Sequence, residues 1–193
     1  MRLIGTVKLV QVQHRPLKVG VKPDRTYDPA GLQVVDHLLL TPEGVIGVTA
    51  GGERLTDVHH SAHPETRSRG DNGLSIGLTA YYQQMRSQFG DHLTDAIAGE
   101  NIIIESDQPY TLDELGDTLV FENSATGARV RVEVLGSAAP CVPFSQFAAG
   151  RKLEGEELKE TLRSLDNGVR GFLLAVLPTE DDQIVQAGDV VYA

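Results

Sequence analysis

Short runs of alternating apolar and polar residues, broken by turn residues, set the character of this chain. Residues 2–13 are rich in Val, Leu, Ile and Thr with Lys8 and Gln11 interspersed, which predicts one long strand. Residues 14–29 carry three prolines and mixed charges and read as an irregular crossing. Residues 33–40 predict a second strand, Pro42-Glu43-Gly44 a turn and 45–48 a third strand, together a hairpin. Residues 49–73 have almost no apolar positions and no period. A loop of that length is unusual in a compact domain and points to function.

The helical period then takes over. Thr79 is placed to cap, Tyr82, Met85 and Phe89 fall on one face at i, i+3 and i+7, and Gly90 closes the helix. That aromatic stripe reads as core. Strands return at 101–104, 118–121 and 129–135, with a turn over 123–127 between the last two. A second helix is predicted over 154–165, its acidic first turn suiting the helix dipole and Asn167-Gly168 ending it. Strands at 171–177 and 184–192 finish the chain. No repeat, low-complexity tract or linker appears. The expected fold is mainly β, one domain over residues 1–193, with one or two helices and the strands closed into a barrel so that no edge is exposed.

Composition narrows the function. A net charge of −10 argues against a nucleic-acid partner, since a binder of the phosphate backbone needs a basic face. A single cysteine excludes an internal disulfide and a four-cysteine zinc site, and suits a reducing, cytoplasmic setting. Residues 1–10 are too short and too interrupted for a signal peptide or a membrane span, so no membrane partner is expected.

Four stretches hold candidate chemistry. In 138–144, Pro140 and Pro143 bracket Cys141 just past a strand-like run. A proline fixes φ and lacks an N–H, so the pair is expected to end the ladder and hold a stiff turn, fixing the sulfur at a strand end. A thiol held that way suits reaction with a bound substrate; a small buried hydrophobe is the plainer alternative. The long loop carries Asp57, His59, His60 and His63, then Arg67 and Arg69. His59 and His63 would share a helix face and grip a metal, but Pro64 opposes a helix and no Glu follows His59. Arg54, Arg67 and Arg69, with the histidines, form a locally basic stretch suited to an anionic small molecule. Residues 73–77 match G-x-S-x-G, yet only His92 lies downstream of Ser75, too near for a hydrolase triad. Gly99-Glu100-Asn101-Ile102 is a glycine turn at a strand start, with Asn101 either shaping the turn or bonding a ligand.

Taken together these pieces resemble the MOSC domain, found at the C-terminus of molybdenum cofactor sulfurases and as stand-alone proteins. The resemblance rests on Ile76-Gly77 leading into the Tyr81-Tyr82 helix and Phe89-Gly90-Asp91, on Ala98-Gly99-Glu100-Asn101-Ile102, and on Pro140-Cys141 after a strand. Arg170-Gly171 and the closing 187–191 are also similar, so the likeness runs from about Val34 to the end. It implies a β-barrel-like fold and a Cys141 that carries sulfur as a persulfide or ligates molybdenum in a molybdenum-pterin cofactor. It further implies a sulfurtransferase or an oxidoreductase, served by a sulfur-donor or electron-transfer protein. Arg54, Arg67, Arg69, Glu100, Asn101 and Arg170 become the expected cofactor-binding residues. Pyridoxal phosphate belongs to a separate domain in the fused relatives and is not expected in this chain. Ala138 and Ala139 stand where many members carry a basic residue, and Gly52-Glu53-Arg54 where Gly-Asp-Arg is usual. Those differences favour a second reading, a non-catalytic small-anion-binding module that keeps the barrel. A metal-dependent hydrolase built on His59 and His63 is the third.

Overall fold

The computed structural model describes residues 1–178 and 183–193. Its strands are β1 (Leu3–Gln13), β2 (Lys18–Val19), β3 (Thr26–Tyr27), β4 (Leu32–Val35), β5 (His37–Thr41), β6 (Gly44–Val48), β7 (Arg54–Thr56), β8 (Leu74–Leu78), β9 (Ile102–Glu105), β10 (Thr118–Glu122), β11 (Arg129–Ser137), β12 (Phe172–Val176), β13 (Gln183–Gln186) and β14 (Val190–Tyr192). The helices are α1 (Thr79–Phe89), α2 (Leu112–Leu115), α3 (Val142–Ala149) and α4 (Gly155–Ser164).

β1 is the seam of the molecule. One of its edges pairs with β9 over Thr6–Val10; the other pairs first with β14 and then, further along, with β4. Through β14 the sheet closes on itself in the order β1-β14-β10-β11-β12-β8-β9, a seven-stranded barrel. Seven is odd, so an all-antiparallel ring is impossible and at least one neighbouring pair must run parallel. That pair is β8 and β9. Parallel neighbours need a crossover, which α1 and the turns after it supply. β13, β5, β6 and β7 form a second, antiparallel sheet. It packs so closely on the barrel that a Cβ on Gly47 would lie 2.8 Å from Val35 and 2.9 Å from Val12.

The barrel interior is filled from alternate positions. Ile102 and Ile104 of β9 point inward with Val7, Val10, Ile76 and Leu174, whereas Ile103 points outward. Outside the wall, Ile103 joins Tyr82 and Met85 of α1, Phe144 and Ala148 of α3, and Leu165 in a second apolar cluster. β9 is thus buried on both faces, as its continuous apolar sequence requires. No helix among the described residues is long and apolar enough to cross a membrane.

The expected strands and both expected helices are present, with several differences. Thr79 opens α1 without capping it, since Leu78 holds the cap position, and β2 pairs with β3 inside the stretch read as an irregular crossing. The strand read over 33–40 breaks at Asp36, where the chain steps from the barrel to the side sheet. The strand read over 184–192 is two strands split by a turn at Gly188. The long loop contains β7, a short edge strand. Among the described residues four α-helices form instead of one or two, because α2 is a single capped turn and because 142–149 is helical.

Candidate functional site

α3 changes the setting of Cys141. The sequence placed the sulfur at a strand end in a proline-stiffened turn; instead Cys141 is the N-cap residue of a helix with Pro143 in its first turn. A proline there sacrifices only an N–H that would have no helical partner, and its fixed φ suits the helix. Cys141 keeps extended backbone angles while its carbonyl accepts from the Ser145 N–H at 2.9 Å. Its side chain is partly buried against the outer apolar cluster.

Arg170 meets it from the turn before β12. Its Nη1 lies 4.0 Å from Cys141 Sγ, and its Nη2 donates to the Ala98 carbonyl at 2.9 Å. The guanidinium lies over the Phe144 ring, 3.8 Å from carbon to centroid, an arrangement that holds its plane and adds a cation–π attraction. Phe144 is braced in turn by Tyr27, whose hydroxyl donates to the Ile97 carbonyl at 2.7 Å. Burial pushes the Tyr27 phenol far above its usual range despite the nearby Arg170, so it remains a donor.

Glu100 is buried beneath this group at 3 % exposure. Its Oε2 accepts the Tyr82 hydroxyl at 2.6 Å, while its Oε1 has no hydrogen-bond partner. Burial raises the Glu100 carboxyl above the usual carboxylate range; Arg170 and the Tyr82 hydroxyl oppose that rise. Two glycines make the space. Gly171 has φ +88°, and a Cβ there would lie 2.3 Å from the Ile76 carbonyl oxygen and 2.9 Å from Glu100 Cγ. Gly99 has φ +102°, and a Cβ there would lie 2.8 Å from Gln13 Nε2.

Asn101 lies behind the surface at 2 % exposure, with its amide committed to the protein. Oδ1 accepts from Ser75 N at 3.0 Å and from its hydroxyl at 3.1 Å; Nδ2 donates to Asp57 Oδ2 at 3.0 Å. Asp57, fully buried, also accepts the Gln13 N–H at 2.7 Å and, on Oδ1, the His59 N–H at 2.8 Å and His59 Nδ1 at 3.0 Å.

These residues surround a cleft of about 120 Å³ lined by Gln13, His59, Arg69, Ser75, Glu100 and Arg170 among others. The cleft therefore gathers Arg69, Glu100 and Arg170 from the expected set, with Cys141 against Arg170. Arg54, on edge strand β7, and Arg67 are exposed and do not line it. Ser75 lies within a strand, not on a strand-to-helix turn, and its hydroxyl is given to Asn101. His63 is turned away, its Nε2 on the His14 carbonyl at 3.3 Å and its Nδ1 accepting from Glu65 N. Among the described residues no group of three or more His, Cys, Asp or Glu side chains is placed to hold a metal. Sequence reasoning missed Tyr82 as the partner of Glu100 and Asp57 as the anchor of His59. The Asp57-x-His59 spacing was a usable signal for the second, since an Asp side chain reaches the backbone two residues on.

Fold and cleft define a class: a closed β-barrel with an arginine-flanked thiol at a helix start beside a small polar cleft. The solved structures that share the fold include the YuaD protein from Bacillus subtilis, at TM-score 0.62 and 14% identity over 99% of this chain and 96% of that one. YiiM from Escherichia coli matches at TM-score 0.52 and 15% identity over 99% of this chain and 68% of its own length. A protein described as hypothetical matches at TM-score 0.52 and 14% identity, over 97% and 66%. No protein-family model and no curated protein sequence matches the chain.

Proposed function

We propose that this chain is a MOSC-type protein that works through Cys141, as a stand-alone sulfur carrier or as a binder of a molybdenum-pterin cofactor. The observation that carries this reading is Arg170 Nη1 at 4.0 Å from Cys141 Sγ, beside the cleft that Arg170 also lines. That guanidinium can donate to the sulfur, and the thiolate is the form needed for either role. As a carrier, the Cys141 thiolate attacks the outer sulfur of a donor persulfide. The donor's S–S bond breaks, the donor leaves as a thiolate, and Cys141 holds the persulfide.

The residues present also fit the anionic, sulfur-seeking end of a molybdenum-pterin cofactor. Cys141 would hold the metal, and Arg69 and Arg170 a phosphate; the buried Arg170 Nε has no partner of its own. When bound, the group would supply redox chemistry at the metal, with electrons from a partner protein.

One observation favours the second reading, a small-anion-binding module. The cleft, at about 120 Å³, is well below the roughly 300 Å³ or more of a pocket that buries an organic ligand. Intact-mass and metal analysis of protein purified without reductant separates the readings. The sulfur-carrier or cofactor reading expects one added sulfur on Cys141, or bound molybdenum, lost in Cys141→Ser. A bare thiol with no molybdenum, in protein also exposed to a persulfide donor, replaces it with the anion-binding module.

A further inference from the structure

The cleft lining that includes Arg170 also holds His59, paired with the buried Asp57, and its role rests on the small-anion-binding reading. Asp57 is fully buried and receives four N–H groups: Gln13 N, Asn101 Nδ2, His59 N and His59 Nδ1. With Asp57 already accepting from three other N–H groups, His59 Nδ1 is placed as the fourth donor. That choice leaves Nε2 as the variable atom of His59, a residue that lines the cleft with Arg69, Glu100 and Arg170. A histidine held through one ring nitrogen by a buried carboxylate presents the other in a fixed direction.

We propose that His59 is a proton-coupled binding residue: when a phosphate- or sulfate-type oxyanion enters the cleft, Nε2 takes up one proton and donates it to the anion. Arg170 and Arg69 supply fixed positive charge, Arg69 with Asp71 Oδ1 3.6 Å from its Nε, and among the described residues Glu100 is the one acidic side chain lining the cleft with them. Ser75 at the cleft wall and the buried Asn101 and Asp57 form the hydrogen-bonded chain that holds the imidazole. Asn101 is then a positioning residue, acting on the ligand through Asp57 and His59.

Inorganic sulfate is the probe, since at neutral pH it carries no proton of its own and any proton gained must come from solvent. Titration calorimetry in buffers of different ionisation enthalpy counts the protons taken up. The full chain carrying Cys141→Ser is used, so that neither sulfur nor molybdenum chemistry enters and the result stands apart from the fate of the Cys141 reading. Sulfate binding with a net uptake of protons is expected. His59→Gln should abolish the uptake and weaken binding by about tenfold or more, the loss of one charge-assisted hydrogen bond. Asp57→Asn should reduce the uptake; should that variant unfold, His59→Gln decides alone, because Asp57 keeps three other donors there. Absent sulfate binding, binding without proton uptake, or unchanged uptake in His59→Gln each overturns the proposal.

Discussion

Replacing Tyr82 by Phe would remove one hydroxyl from the middle of the molecule and leave the ring in place. That hydroxyl donates to Glu100 Oε2 at 2.6 Å and accepts the Ala98 N–H at 3.1 Å. Burial holds the Tyr82 phenol well above the usual tyrosine range, so it donates at every pH of interest. Tyr82 is fully buried, so neither abandoned group gains a solvent partner. A hydrogen bond to a charged group contributes about 1.5–3 kcal/mol, and an orphaned buried N–H costs about 1–3 kcal/mol. The two terms share one oxygen and overlap, which gives a loss of about 2–4 kcal/mol, or roughly 5–15 °C in melting temperature for a chain of this size.

The loss should also depend on pH. Because the Glu100 carboxyl is raised in the folded protein, folding is favoured by proton binding there. That contribution is fully present below the ordinary carboxylate value and is lost as pH climbs through the raised one. Without the Tyr82 hydroxyl the raised value moves higher still, so the deficit of Tyr82→Phe grows from about pH 4.5 to about pH 7. Urea unfolding of both proteins at both pH values, followed by circular dichroism, measures it. A deficit that is the same at the two pH values, or below about 1 kcal/mol at neutral pH, refutes the reasoning.

Two further substitutions test the scaffold around the cleft. Asn101→Ala strips partners from the Ser75 N–H and from Asp57, and should cost about 3 kcal/mol by urea denaturation; a cost under about 1 kcal/mol would mean that the buried chain to His59 is not held by Asn101. Gly171→Ala places a methyl against the Ile76 carbonyl oxygen at a φ of +88°. It should destabilise by more than the roughly 1–2 kcal/mol of left-handed strain alone; a melting temperature matching the parent protein would show that the entry to β12 shifts freely.

Much of the fold could be read from residue patterns because its cause is local. The period of Tyr82, Met85 and Phe89 specifies α1, and Gly99 and Gly171 mark positions where the backbone needs positive φ. The prolines around Cys141 misled, since Pro143 signals a turn and a helix start equally well until the following residues have something to pack on. Here Phe144 and Ala148 have the outer cluster over β9, and that surface exists only once the barrel has closed.

The candidate site divides along the same line. The sequence alone singled out the candidate groups: a lone thiol, a glycine-led Glu100-Asn101 pair, and arginines in an acidic chain. Only the tertiary structure decided which of them meet. Arg170 reaches Cys141 across 29 positions, and Asp57 reaches Asn101 across 44. Arg54 and Arg67, neighbours of the cleft in sequence, face elsewhere. Contacts of that range depend on the register of β8, β9 and β12. Register is set by which residues fill the barrel interior, since a one-residue slip would turn every buried side chain outward.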